Sequence, residues 1–306
     1  MENIVKNGCE ISKLTLGTVQ LGIPYGINNT HGMPTYEESS DILGTAVNLG
    51  VTAFDTARGY GKSEEVLGKY FTENPPHKTI ITKVEFKDET LDNVVDSFFY
   101  QIEDSKKKLG VDSLHGVLLH NERHIELYGK TLIDALVESK KRGDVKNIGV
   151  SLSRKEKMME YLSDGIFDCV QIPANVFDNK EIREGKIKEL YDMGVSVFVR
   201  SVYLQGLFFR SLDTLPEKLV CARPVIEELH RLASDNGMSV ATLALSYIRD
   251  TEGVSSLVMG AETPEQVREN VSLFNTPSLS SSVMDKITEI SEKVPSIVIR
   301  PWEWNK

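Results

Sequence analysis

The chain has 306 residues, of which 40% are hydrophobic and 26% charged, and its 35 basic and 45 acidic residues leave a formal charge of -10. This is ordinary globular composition with enough apolar mass for a sizeable core. The acidic balance, with no block of Lys and Arg interleaved with aromatics, argues against nucleic acid or an anionic membrane as a partner. Cys9, Cys169 and Cys221 show no CxxC spacing, so neither a disulfide framework nor a thiolate metal site is expected. The start "MENIVKNGCE" is too polar for a signal peptide and no apolar run approaches a membrane span, so a cytoplasmic protein is expected.

Short apolar runs then recur along the chain: "KLTLGTVQ" from 13, "VTAFD" from 51, "TIITK" from 79 and "GVLLH" from 116, followed by "NIGVS" from 147, "DCVQI" from 168, "VSVFVRS" from 195 and "SSLVMG" from 255. Each has strand length and is apolar on both faces, as parallel strands buried on two sides are. The segments between them carry apolar residues three and four apart, predicting helices over Tyr36 to Leu49, Leu91 to Leu109 and Thr131 to Arg142, with Gly50, Gly110 and Gly143 as C-terminal caps. Eight such units point to a closed (β/α)8 barrel, a TIM barrel forming one domain over residues 1–306, with extra helices in the long connection from about 202 to 254. No linker or low-complexity tract divides it.

The stretch "AFDTARGYGKSEEVLG", residues 53 to 68, places an acid at a strand end and a phenol in the glycine-punctuated turn that follows, with Ser63 fitting the N-cap of the next helix. In such barrels the active site lies at the carboxyl ends of the strands. Those ends read Asp55 with Tyr60 beyond it, Lys83, His120, Ser151, Gln171 with Asn175 beyond it, and Arg200 with Ser201. Taken singly, each also fits a structural role as turn cap, loop packing, snorkelling lysine or core histidine.

Together they fit acid catalysis by a phenol. Its ordinary pKa of about 10 makes it a weak donor near neutrality. A nearby ammonium stabilises the phenolate, a carboxylate holds the ammonium, and an imidazole orients a carbonyl. Tyr60, Lys83, Asp55 and His120 supply those four groups.

On these residues the chain resembles the aldo-keto reductases, (β/α)8 enzymes that transfer hydride from a nicotinamide cofactor to a carbonyl. "DTARGYGKSEEVLG" is similar to the family's Asp-Thr-Ala, Tyr-Gly, Ser-Glu and Leu-Gly signature, "TK" at 82 and 83 and "LLH" at 118 to 120 match its remaining catalytic positions, and the likeness spans essentially the whole chain. The resemblance implies Tyr60 as general acid, Lys83 and Asp55 as its tuners and His120 as the group positioning the substrate oxygen. It further implies Ser151, Gln171 and Asn175 at the nicotinamide amide, Ser201 and Gly206 in the loop after the seventh strand, and Gly260, Gln266, Glu269 and Asn270, within "MGAETPEQVREN", at the adenosine end. NADPH is the implied cofactor, with NADH open, because positions commonly basic in the family are Gly260 and Gln266 here, with Glu262 nearby and Arg268 on the same helix.

Two departures concern the nicotinamide end. "VRSVYLQG" puts Arg200 where the family commonly has a tyrosine stacked on the nicotinamide, leaving the guanidinium to stack, to hold a substrate anion or to pair with an acid. Leu152 replaces an asparagine that would hold the carboxamide. The variant "RSVYLQGLF" resembles members associated with surface-sugar biosynthesis, which implies a sugar-derived carbonyl, and the tail "IRPWEWNK", with Trp302 and Trp304, is a candidate pocket wall or a packing segment. "HNERH" from 120 lacks the spacing of a zinc helix, so no metal is expected. Two other classes stay in view: a cofactor-binding, redox-sensing regulatory subunit with little turnover, and a lyase using Lys83 as a Schiff base. Retention of the four catalytic groups and of the adenosine-end segment favours the reductase, acting on a small carbonyl compound.

Overall fold

The computed structural model describes residues 1–25, 32–76, 78–87 and 90–304. It opens with an antiparallel hairpin, β1 (Asn3–Lys6) and β2 (Cys9–Ser12), turned by Asn7 and Gly8 at φ 51° and 72°. Both turn residues have positive φ, as the Asn-Gly type of hairpin turn requires. The barrel strands are β3 (Leu14–Gly17), β4 (Ala53–Asp55), β5 (Thr79–Val84), β6 (Leu114–Leu119), β7 (Val145–Ser151), β8 (Cys169–Pro173), β9 (Ser196–Arg200) and β10 (Ser256–Gly260). All pair in parallel and the sheet closes, β10 lying against both β3 and β9.

Helices cover the outside: α1 (Val19–Gly22), α2 (Tyr36–Asn48), α3 (Ser63–Glu73), α4 (Val94–Leu109), α5 (Arg123–Arg142), α6 (Met158–Leu162), α7 (Lys180–Arg183), α8 (Lys186–Asp192), α9 (Arg223–Asp235), α10 (Val240–Arg249), α11 (Pro264–Leu273) and α12 (Ser281–Ser291). The barrel expected from the sequence is therefore the fold, and the connection after β9 holds α9 and α10 with short 3-10 turns before them. Gly110 and Gly143 cap α4 and α5 in the left-handed region, and Gly50 follows the end of α2 at φ 85°.

Three local expectations are corrected. The second predicted helix starts at Val94, not Leu91, because residues 91–93 form a turn in which the Asn93 Oδ1 accepts from the Thr90 N–H. The third begins at Arg123 and is broken at Gly129 (φ 49°, ψ −135°), so the periodic stretch from Thr131 is only its second half. Ser63 is not an N-cap; Lys62 holds that position without a side-chain bond. The Ser63 hydroxyl instead donates to the Thr18 carbonyl at 2.9 Å and accepts from Thr56 Oγ1 at 2.8 Å, and Glu64 accepts from Thr82 Oγ1 at 2.6 Å. The Ser-Glu pair fastens α3 to the ends of β3, β4 and β5.

Two apolar clusters result. The larger fills the space between sheet and helices; the smaller lies inside the barrel and joins Cys9 and Ile11 of the hairpin to Ala53, Ile81, Leu118, Cys169 and Phe198. The hairpin thus plugs the amino-terminal end of the barrel and leaves the carboxyl end open for chemistry. Of the tail, Trp304 packs into the larger cluster and donates Nε1–H to Ile297 O at 3.0 Å, while Trp302 is exposed; the last two residues lie outside the described residues.

The turn bearing Tyr60 is seated on α1. A Cβ at Gly22 would lie 1.7 Å from the Tyr60 carbonyl oxygen and 2.5 Å from the Ser63 nitrogen, both backbone atoms. Gly22→Ala is therefore expected to lower the unfolding free energy by about 1–3 kcal/mol, the usual cost of overpacking. Urea unfolding followed by circular dichroism checks it; an unchanged midpoint would show that the Tyr60 turn moves freely.

Candidate active site

Strand periodicity alone assembles the candidate residues. Side chains two apart on a strand share a face, and the interior cluster contains Ala53, Ile81, Leu118, Cys169 and Phe198. Two residues further on lie Asp55, Lys83, His120, Gln171 and Arg200, so all five belong to inward-facing rows at the open end. The register supports this: Asp55 pairs with Ile81, Lys83 with Leu118 and Gln171 with Phe198, so the next strand's polar residue is each time two residues ahead, the stagger a tilted closed barrel requires.

At the centre is a buried ion pair. Lys83 Nζ donates to Asp55 Oδ1 at 2.7 Å, to Oδ2 at 2.8 Å and to the Thr56 carbonyl at 2.9 Å, and Asp55 Oδ1 also accepts from Gln171 Nε2 at 2.7 Å. Lys83 is 0% exposed and Asp55 4%. A buried pair of charges persists only with good geometry and its remaining donors and acceptors satisfied, which this arrangement supplies. Burial pushes the ammonium pKa down, but Asp55 and then Tyr60 more than reverse this, so Lys83 is held above its ordinary value and stays charged.

Tyr60 and His120 face this pair. Lys83 Nζ lies 5.0 Å from the Tyr60 ring centre, and the Tyr60 and His120 rings meet edge to face at 5.7 Å. Burial raises the Tyr60 pKa; Lys83 and Arg200 lower it and Asp55 raises it, with a net shift upward from 10. The lowering expected from the ammonium is thus present but outweighed by desolvation, and the phenol is firmly protonated. Burial, followed by the fields of Lys83 and Arg200, drives the His120 pKa from 6.5 to about 3. The imidazole is neutral at physiological pH, and its buried Nδ1 has no hydrogen-bond partner among the described residues.

The candidates at the nicotinamide end are variously engaged. Ser151 is buried beside its strand partner Gln171. Asn175 is committed to its own loop, accepting from Phe177 N–H at 3.0 Å and donating to Ser201 O at 3.3 Å. After Arg200 the chain enters a strained loop, in which Ser201, Leu204 and Gln205 have φ of 65°, 47° and 54° and Gly206 follows at 83°. Non-glycine residues in this region cost on the order of 1–3 kcal/mol each and cluster at functional sites.

At the other end, Asn270 Nδ2 donates to the Gly260 carbonyl at 3.2 Å and Gln266 Oε1 accepts from Glu262 N–H at 2.8 Å, tying α11 to β10 and capping its first turn. Gln266 and Glu269 are exposed. Arg268 is paired with Glu265 at 2.9 Å.

Three further residues belong to the surroundings. Glu122, 2% exposed, accepts from Ser153 N at 2.8 Å and from Arg154 N and Nε at 3.1 Å, clamping the loop after β6 to the loop after β7. It lies inside "HNERH", where the metal comparison draws attention to the histidines. Gln20 covers Gly260, where a Cβ would lie 2.4 Å from Nε2, and its Oε1 is buried without a partner among the described residues; so is the hydroxyl of Tyr203, near Glu269. Neither has a sequence signal, since Gln20 lies on the one-turn helix α1 and Tyr203 in the loop after β9, and only the fold reveals where these run.

A closed parallel barrel with an acid, a lysine, a phenol and an imidazole at its carboxyl end defines a barrel oxidoreductase. The chain matches the Aldo/keto reductase family over residues 13–292 and belongs to it. It is 25% identical over 315 residues to the NADH-specific methylglyoxal reductase of Escherichia coli (strain K12), covering 92% of this chain and 95% of that protein. It is 22% identical over 339 residues to the L-glyceraldehyde 3-phosphate reductase of Escherichia coli O157:H7, covering 96% and 94%. Among solved structures, the holo form of an aldo-keto reductase from Bacillus halodurans superposes with a TM-score of 0.77 at 21% identity, over 96% of this chain and 97% of that one. The protein is accordingly an NAD(P)H-dependent oxidoreductase.

Lys83→Met would strand the Asp55 carboxylate in the interior with Gln171 as its main partner, a loss of about 3–5 kcal/mol. Asp55→Asn added to Lys83→Met should recover most of that stability. Equal stability of the single and double variants in urea would contradict the ion pair's role. His120 gives a second expectation. Its folded pKa of about 3 lies below the ordinary 6.5, so the unfolded chain takes up this proton first and stability is lost as pH falls from 6.5 toward 3. The slope is at most about 1.4 kcal/mol per pH unit. His120→Gln should flatten it between pH 6.5 and 5, and an identical slope in both proteins would show that His120 titrates normally.

Proposed function

We propose that this chain reduces a small aldehyde or ketone to an alcohol, with Tyr60 as the proton donor and His120 as the group that orients the carbonyl oxygen. One observation carries it: a protonated, half-buried Tyr60 lies beside a neutral imidazole and an ammonium fixed by Asp55. The nicotinamide, when bound, supplies the hydride. The open end of the barrel fits such a polar cofactor, because Gln20 Oε1 and Tyr203 Oη are buried without partners among the described residues beside Gly260 and the strained loop 201–206.

Ser151, Gln171, Ser201 and Gly206 would hold the nicotinamide end. Gly260, Gln266, Glu269 and Asn270 would line the adenosine end. Gln171 has Nε2 committed to Asp55, so its Oε1 remains to accept from a carboxamide. As the carbonyl carbon gains its hydrogen, charge develops on the oxygen. Tyr60 transfers its proton there, and Lys83 stabilises the resulting phenolate through space. Neutral His120 donates a hydrogen bond to the same oxygen without competing as an acid.

We read NADH as the preferred cofactor. A 2'-phosphate near α11 would meet Glu262, Glu265 and Glu269, and the helix's Arg268 is already neutralised by Glu265. The NADH-specific methylglyoxal reductase among the relatives supports the same choice. For the substrate, the relatives' methylglyoxal and L-glyceraldehyde 3-phosphate support a short oxo compound, and the "RSVYLQGLF" variant supports a sugar-derived one.

Tyr60→Phe is expected to keep cofactor affinity and lose about 10²- to 10⁴-fold in turnover, the usual worth of an acid catalyst. Cofactor oxidation against aldehydes, ketoses and keto-sugar nucleotides, run with NADH and NADPH, checks this. A Tyr60→Phe enzyme within a few-fold of wild type would remove Tyr60 from the chemistry, and a higher kcat/KM with NADPH would overturn the cofactor preference.

A further inference from the structure

Arg200 is the surplus charge of the site. It stands two residues beyond Phe198 on an inward-facing row, yet it takes part in no ion pair within 4.0 Å among the described residues. Its fork meets only neutral acceptors: Nη2 donates to the Leu152 carbonyl at 3.1 Å and Nη1 to Ser201 Oγ at 3.4 Å. The two buried carboxylates that influence it are already paired, Asp55 with Lys83 and Glu122 with Arg154. An arginine cannot shed its proton, so withdrawing it from water without a counter-charge is costly unless a ligand supplies one.

We propose that Arg200 binds an acidic oxygen group, carboxylate or phosphate, carried by the carbonyl substrate, so that the substrate is an oxo acid or a phosphorylated oxo compound. This rests on the reductase reading and narrows its substrate class. The planar guanidinium matches both oxyanions by paired hydrogen bonds. Its field reaches the reacting centre: Arg200 acts on Tyr60 and His120, and Tyr60, Tyr25, Asp55 and Glu122 act on it, whereas Glu269 of the adenosine end acts on Tyr203. That places the cation beside the carbonyl's position and away from the adenosine end of the cofactor.

Leu152 fits the same picture. Where the family resemblance puts an asparagine, this chain has a buried leucine whose carbonyl orients Arg200, and the loop carrying it is clamped by Glu122 through Ser153 and Arg154. The guanidinium is therefore held in place before any ligand arrives.

The test compares matched substrates in wild type, Arg200→Met and Arg200→Lys: glyceraldehyde 3-phosphate against glyceraldehyde, and succinic semialdehyde against butanal. Wild type should favour the charged member of at least one pair by about tenfold or more in kcat/KM, and which pair responds tells phosphate from carboxylate. Arg200→Met should cut kcat/KM for the charged substrate about 10²-fold more than for the neutral one and leave cofactor dissociation constants unchanged, with Arg200→Lys in between. Equal losses on charged and neutral substrates, no charge preference in wild type, or a cofactor affinity that falls with the substitution would overturn the assignment. If wild type oxidises cofactor with no carbonyl, the reductase reading fails separately. Calorimetric titration of the two charged compounds then decides Arg200: binding lost in Arg200→Met supports the anion site, and equal binding or none overturns it.

Discussion

The bond between Lys83 and Asp55 is the constraint on which the site depends. Both ends come from strands buried on two sides, where an isolated ammonium or carboxylate costs several kcal/mol. Each satisfies the other, and Thr56 O and Gln171 Nε2 complete their hydrogen bonding. The pair tunes the charge states that burial sets around it. The ammonium offsets part of the desolvation that keeps Tyr60 protonated, and it helps to keep His120 neutral. Burial, tuned by this one bond, thus yields a phenol that can give a proton and an imidazole that will not.

The rest of the barrel serves to hold that geometry. The hairpin of β1 and β2 fills the amino-terminal end, so the interior rows above it are a packed floor. Ser63 and Glu64 pin α3 to three strand ends, which fixes the turn that carries Tyr60. Glu122 and Leu152 hold the opposite rim. Strain is concentrated in the loop after β9, next to the one guanidinium among the described site residues that lacks a counter-charge. A site built this way has little freedom to reorganise, which suits chemistry that depends on placing a carbonyl oxygen between a proton donor and a hydrogen-bond donor.

What was legible in the sequence divides along the range of the interactions. Parallel strands buried on both faces read as short apolar runs, so all eight appear, and their polar ends identify Asp55, Lys83, His120 and Gln171 as one row. The hairpin is a different case. Asn7-Gly8 is a hairpin signal, but its strands are short and half polar, and attention to the polarity of the start hides it. Ser63 shows the limit of local pattern: a serine before Glu-Glu looks like an N-cap, while its hydroxyl bonds Thr18, forty-five residues away. The partners of Gln171 and Glu122 likewise lie on other strands and loops, and no spacing rule reaches them. The net rise of the Tyr60 pKa depends on burial, which the sequence shows only as a tendency.

The coupling between the ion pair and the phenol can be measured without any substrate. With tyrosine labelled at the ring carbon that bears the hydroxyl, the titration of Tyr60 can be followed by NMR in wild type and in Lys83→Met, using Tyr60→Phe to assign the resonance. Burial and Asp55 raise the phenol's pKa while Lys83 lowers it, so Tyr60 should titrate above 10 in wild type and higher still in Lys83→Met. A Tyr60 that titrates at the same pH in both proteins, or lower without Lys83, would contradict the claim that the buried pair governs the proton donor.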